Sequence, residues 1–257
     1  MSMNFSIGRV KLLVAAALLL ATGVAPAPAR AQGVGGASSA LNNAAVLTLF
    51  GKNNSFTARV EIKAFDKSNK ETTSMPLSFN MLDGKIRMEV DMAEMRSTEQ
   101  PDPALAYAKQ LGMDHLIAIV RPDKKADLII YPKTSAYAEV PMSPEEIADL
   151  DKKYTLATTK VGTEKLNGHS CVKNNVTLTG EKGEKQGFLV WNATDLKDFP
   201  VQIQIPSPDN TVVMTFKEVK LVKPEARTFE APAGLTKYDS AERLVRALTV
   251  KIAVEKK

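Results

Sequence analysis

The chain has 257 residues, with 34 lysines and arginines against 29 aspartates and glutamates and a formal net charge of +5. A single cysteine excludes an intrachain disulfide, and two histidines with one thiol do not make a zinc pattern. The modest basic excess, part of it carried by the first thirty residues, gives no reason to expect nucleic acid as a partner.

The N-terminus reads as a secretory signal peptide, expected to be cleaved after Ala31. Arg9 and Lys11 precede the apolar run Leu12 to Ala21, and Ala29-Arg30-Ala31 supplies the small residues of the cleavage site. That run is about half the roughly 20 residues a membrane span needs, so no transmembrane span is expected after cleavage. The next residue is Gln32 rather than Cys, so no lipid anchor is expected. Loss of Arg9, Lys11 and Arg30 leaves 31 basic against 29 acidic residues, a net charge of +2. A mature chain of this length supports one large domain burying roughly 70% of its unfolded-chain surface.

Residues 32–43 are small and polar and read as a flexible lead-in. Ala44 to Phe50 is a short apolar helical turn stopped near Gly51. From Phe56 the period becomes two: Phe56, Ala58, Val60, Ile62 and Ala64 alternate with Thr57, Arg59, Glu61 and Lys63 as in a half-buried strand. Asp83-Gly84 is a two-residue hairpin turn, because both positions need positive φ. It places Met81 opposite Ile86, Phe79 opposite Met88, Leu77 opposite Val90 and Met75 opposite Met92. All four pairs are apolar, whereas a one-residue slip would turn the set to the other side.

Asp102-Pro103 opens a short helix that Gly112 closes. His115 to Val120, Ala126 to Tyr131 and Ser135 to Val140 read as strands. Ser143-Pro-Glu-Glu146 is a capping box opening a helix to about Lys153. Ala157 to Val161 leads into Gly162 to Ile205, three consecutive strands with turns between them, and Thr211 to Val219 alternates again. Phe229 to Leu235 is a turn-rich connector. Asp239-Ser-Ala-Glu242 reads as a second capping box, followed by Ala241, Leu244, Val245 and Leu248 at helical spacing. About nine or ten strands and three or four short helices make an α+β chain, mainly antiparallel β with helices to one side.

Chemistry is sparsely signalled. His169 and Cys171 are two apart, which on a strand separates them by roughly 7 Å, too far for a Cys–His dyad to touch easily. His115 opens an apolar run and reads as a strand-end residue. Glu145 and Glu146 are accounted for by the cap. There is no Walker loop, no Gly-x-Gly-x-x-Gly after a strand and no Gly-x-Ser-x-Gly elbow, so neither a cofactor nor a catalytic site is expected. The stronger signal is methionine: five of ten lie between Met75 and Met95. Flexible, polarisable side chains suit a surface that must fit varied apolar partners. The face made by Met75, Leu77, Phe79, Met81, Ile86, Met88, Val90 and Met92 is either plain core or the lining of a ligand cavity. The two overlap where a cavity lies under a helical lid.

A set of motifs in this order resembles the LolA-like superfamily of periplasmic lipoprotein- and lipid-handling proteins, among them LolA, LolB and RseB. They are Phe56-Thr-Ala-Arg-Val-Glu-Ile62, Gly84-Lys-Ile-Arg-Met-Glu-Val90, Tyr131-Pro-Lys-Thr-Ser-Ala-Tyr137 and Gly162-x-Glu-x-Leu-x-Gly-His-x-Cys171. Val190-Trp-Asn-Ala-x-Asp-Leu196, Phe199-Pro-Val201 and Phe229-x-x-Pro-x-Gly234 follow. The resemblance implies a curved, incomplete antiparallel barrel over residues 44–257, with short helices against its concave side and a hydrophobic cavity between. Fold and ligand class are all that it carries over, and the first expectation built on them is a soluble periplasmic binding or carrier protein for lipid or lipoprotein acyl chains. The alternative is an RseB-like sensor or assembly module binding a protein partner of the envelope, and a Cys/His enzyme ranks last. No functional side chain of the family maps onto a position here.

Overall fold

The computed structural model describes residues 44–98 and 103–255. The leader read at 1–31, the lead-in at 32–43 and the Asp102 cap lie outside the described residues. The order of elements begins with α1 (Ala44–Thr48), β1 (Ser55–Asp66), β2 (Glu71–Leu82), β3 (Lys85–Asp91), β4 (Arg96–Ser97) and α2 (Pro103–Gln110). It continues with β5 (His115–Arg121), β6 (Ala126–Tyr131), β7 (Ala136–Pro141), α3 (Pro144–Leu150), β8 (Tyr154–Leu166) and β9 (His169–Gly180). It ends with β10 (Lys185–Ala193), β11 (Phe199–Pro206), β12 (Asn210–Lys220), β13 (Thr236–Tyr238) and α4 (Ala241–Glu255).

All thirteen strands join one open sheet in the order β13-β7-β6-β5-β3-β2-β1-β12-β11-β10-β9-β8, with β4 added beside β2. Every pairing is antiparallel except β13 with β7. The order itself dictates curvature. β7 and β8 lie ten strand spacings apart, about 48 Å if the sheet were flat. The chain from Pro141 to Tyr154, with α3 inside it, can span only roughly 33 Å. The sheet must therefore curl until its two ends approach, and α3 straps the gap. This is the incomplete barrel expected from the sequence.

The Asp83-Gly84 turn has φ of 48° and 83°, and the register follows from it: Phe79 pairs with Met88 and Met81 with Ile86. The ladder ends at Ser78–Glu89, so the two outer expected pairs, Leu77–Val90 and Met75–Met92, are not part of it, and Met92 leaves the strand in a 3-10 turn capped by Asp91. Three further connections share one device, a three-residue 3-10 turn followed by a left-handed residue: Lys125, Ser135 and Lys197, with φ of 50°, 52° and 53°. α2 closes as expected on Gly112, at φ 69°, with Met113 N–H reaching back to the Ala108 carbonyl.

Several boundaries differ from the sequence reading. Among the described residues there are thirteen strands rather than nine or ten, because β4 and β13 are too short to show a period. The stretch 162–205 holds parts of four strands, not three. β8 starts at Tyr154 and runs through a bulge at Val161 that masks its continuity. α3 stops at Leu150 rather than near Lys153, where the chain turns exposed and polar. The last helix is capped by Ser240, whose Oγ accepts from Arg243 N–H, while Asp239 pairs with the Arg243 side chain. The expected capping box at Asp239–Glu242 does not form; Ser240 provides the cap alone.

Two apolar layers hold the sheet. The main core lies on the concave face, where α1, α2 and α4 and the turns after the first two contribute Val46, Phe50, Ala108, Leu111, Leu244 and Val245. At its centre the Phe50 ring meets Phe56, Phe79, Phe199 and Phe216 with centroids 5.0–6.4 Å apart. A smaller core lies on the convex face, where Phe229 covers Leu82, Ile117, Ile119, Leu128 and Ile130. The connector expected to be a simple turn-rich link is therefore a clamp. It explains why every residue of β6 is buried, since β6 is covered on both faces.

Candidate functional site

Directly paired residues on neighbouring strands share a face, so the concave face can be read in rows. One row is Ala58, Phe79, Met88, Ala118, Ile129, Ala138, across β1, β2, β3, β5, β6 and β7. The next is Phe56, Met81, Ile86, Val120, Asp127, Val140 on the same six strands. All eight residues of the Met-bearing face, Met75, Leu77, Phe79, Met81, Ile86, Met88, Val90 and Met92, lie in the main core with relative exposure between 0% and 9%. They form one continuous apolar wall under the helices.

The cover over that wall is uneven. α4 packs on β7, where Ala136 and Ala138 let a helix come close. By contrast α3 buries no side chain fully, and only Ile147 and Leu150 rest on the core. On the wall itself Ala118 and Val140 are only partly buried. Val140, next to last in β7, adjoins the strap, which follows shortly after Pro141. α3 is held at its start by a complete capping box: Glu146 N–H donates to Ser143 Oγ, and Ser143 N–H donates to Glu146 Oε2 at 2.7 Å.

Asp127 is the exception in its row. It is 8% exposed, and its buried Oδ1 accepts no hydrogen bond. Burial pushes its carboxyl up to about 7, and the Glu146 charge on the strap pushes the same way. Among the described residues neither carboxylate has a lysine or arginine partner. Sequence reading passed over Asp127. The signal was an acid inside Ala126-Asp-Leu-Ile-Ile-Tyr131, in step with Ile129 and Tyr131 and hence on their face.

The convex face is organised by charge. Arg121 is buried, and its guanidinium donates to the Phe229 carbonyl, to Asp123 in a bidentate pair at 2.8 Å, and to Glu230 at 2.6 Å. The Asp123 carboxyl is held at about 2 as a result. A shallow cleft of about 260 Å³ lies there, lined by Arg121, Lys124, Leu128, Tyr137, Glu139 and Glu230. Its charges are already paired with one another, Lys124 with Glu230 and Lys237 with Glu139.

His169 and Cys171 do not act together. His169 Nδ1 meets Asp195 Oδ2 at 2.8 Å near the surface, and Cys171 is buried with its thiol 3.6 Å from the His169 carbonyl, not the ring. Burial raises the Cys171 thiol pKa, and the Asp195 and Glu164 charges add to it, which disfavours a thiolate. Trp191 is also buried, donating to Glu164 at 2.6 Å beneath the Lys173 ammonium. His115 Nε2 meets Glu89 Oε1 at 2.8 Å, on a carboxylate shared with Arg87. No group of three or more His, Cys, Asp or Glu among the described residues could hold a metal ion. No described helix is long and apolar enough to cross a membrane.

No protein-family model matches the chain, and no curated protein sequence does. Solved structures do. The lipoprotein LppX of Mycobacterium tuberculosis is 12% identical over 68% of this chain and 93% of its own, with a TM-score of 0.39. LprF of Mycobacterium bovis is 12% identical over 77% and 97%, with a TM-score of 0.40. A LolA superfamily protein of Nitrosomonas europaea is 12% identical over 76% and 97%, with a TM-score of 0.36. The likeness is one of fold. At scores of this size it brings no ligand, partner or activity to this chain.

Proposed function

We propose that this is a soluble periplasmic binding or carrier protein that shelters an apolar chain between the concave face of its sheet and the helices over it. Residues 44–257 would work as one domain once residues 1–31 are removed. The observation that carries the reading is the uneven cover: two cross-strand rows, apolar but for Asp127, meet a strap that buries no side chain, next to the partly open Ala118 and Val140. Affinity would come from burying methylenes, each contributing about 0.8 kcal/mol. Lipid or lipoprotein acyl chains are the ligand class this suits. Cys171, buried and with a raised thiol pKa, is poorly suited to serve as the nucleophile of a Cys/His enzyme.

The alternative, a module binding an extended segment of an envelope protein, would need an inviting sheet edge. β8 leaves one edge unpaired, but it is bulged at Val161 and carries Lys160 and Lys165, features that deter strand addition. We therefore favour the carrier.

The test is an apolar dye whose fluorescence rises on burial, titrated into the mature protein. Ala118→Phe should fill the open part of the wall and abolish dye binding while the protein still folds. Met88→Asp should abolish binding too. If Met88→Asp unfolds the protein and Ala118→Phe leaves dye binding unchanged, the wall is core and the carrier reading fails.

A further inference from the structure

The carrier reading treats the concave wall as indifferent to the polar end of its ligand, and Asp127 contradicts that. A carboxyl set within an apolar row, with an unpartnered buried oxygen, is costly to the fold unless something meets it. Its in-register neighbours are Val120 on one side and the partly exposed Val140 on the other, so the carboxyl lies at the less covered margin of the wall. Glu146, half-buried on the strap, is the second acidic group at this margin, and its Oε2 is engaged only by the Ser143 N–H. Among the described residues the two carboxyl groups have no lysine or arginine partner, and Asp127 stands within an apolar row beside the partly exposed Val140.

We propose that Asp127, with Glu146 beside it, anchors the polar end of the ligand, and that this end is a cation: the ligand class is an amphiphile with an amine head and an apolar tail. The inference rests on the carrier reading and makes it specific. A head bearing N–H donors supplies what Oδ1 lacks and neutralises the acidic pair. The tail then runs along the row over Val120, Ile86 and Met81. A cationic head would hold the Asp127 carboxyl, which sits at about 7, in its ionised form, whereas an anionic head would require its proton and would still meet Glu146, and a neutral alcohol would gain the hydrogen bond without the charge.

The experiment compares dodecylamine, dodecanol and dodecanoate as competitors of the apolar dye on the mature protein at neutral pH. The amine should displace the dye at a concentration about ten- to a hundredfold lower than the alcohol, with the carboxylate weakest, as a charge-assisted hydrogen bond predicts. Asp127→Asn, which removes the charge and keeps an acceptor oxygen, should bring amine and alcohol within about threefold of each other. Asp127→Leu, should the amide fold poorly, should likewise abolish the amine preference while weakening both heads. Glu146→Gln, which keeps the capping box, should reduce the amine preference less. Equal displacement by all three, or an amine preference that survives loss of the Asp127 carboxyl, overturns the anchor while leaving the carrier standing. Failure of every chain to displace the dye overturns both.

Discussion

The buried Asp127 carboxyl should make stability fall as pH rises, and Asp127→Asn isolates the effect. In the folded state the group titrates near 7; in the unfolded chain an aspartate titrates at about 3.9. The native state holds its proton more tightly, so the contribution is fully present below about pH 4 and is lost as pH rises through about 7. Three pH units at about 1.36 kcal/mol each set a ceiling of about 4 kcal/mol. Water reaching the carboxyl past Val140 lowers that, and about 2–4 kcal/mol is expected. Urea unfolding of wild type and Asp127→Asn across about pH 4.5 to 8.5 measures it, because other titrating groups cancel in the difference. The variant should gain on wild type by that amount with rising pH, or about 5–15 °C in Tm. Parallel curves would mean that Asp127 is solvated or partnered, and the reasoning about its row would be wrong.

Four further outcomes follow from the packing. Phe50→Ala removes the ring at the centre of the five-phenylalanine cluster and should cost about 3–5 kcal/mol by urea unfolding. Phe229→Ala should cost a similar amount, and limited proteolysis should then cut near residues 225–235, because the convex clamp has lost its anchor. Cys171→Ala should leave dye binding intact, and the native thiol should react with an alkylating reagent only on unfolding. Ser143→Ala should cost about 1 kcal/mol through the lost cap. Because α3 buries no side chain fully, that loss should show in a faster ligand off-rate more than in global stability.

What the sequence revealed was local. Asp83-Gly84 needs positive φ at two adjacent positions, so turn and register could be read together, and the Phe79–Met88 and Met81–Ile86 pairs follow. Ser143 and Glu146 sit at the fixed spacing of a capping box, and both of its hydrogen bonds form. What stayed hidden depends on contacts distant along the chain. Nothing near Phe229 says that its ring will cover Ile117 and Ile130, more than a hundred and just under a hundred residues away, although the consecutive apolar residues Leu128, Ile129 and Ile130 of β6 hint at a second cover. β13 exists only because the connector brings Thr236–Tyr238 alongside β7. The candidate site was half legible. Its apolar wall follows from period two, whereas the role of Asp127 needs the burial, the missing partner and the strap together.

The central claim is that the concave wall holds an apolar chain. Its most direct test is the intact mass of the mature protein purified from the envelope of its host under native conditions, followed by extraction with organic solvent. A discrete excess mass that disappears on extraction, and is recovered as an amphiphile, is the result this account predicts. A protein at its bare polypeptide mass that also takes up no apolar dye would contradict it.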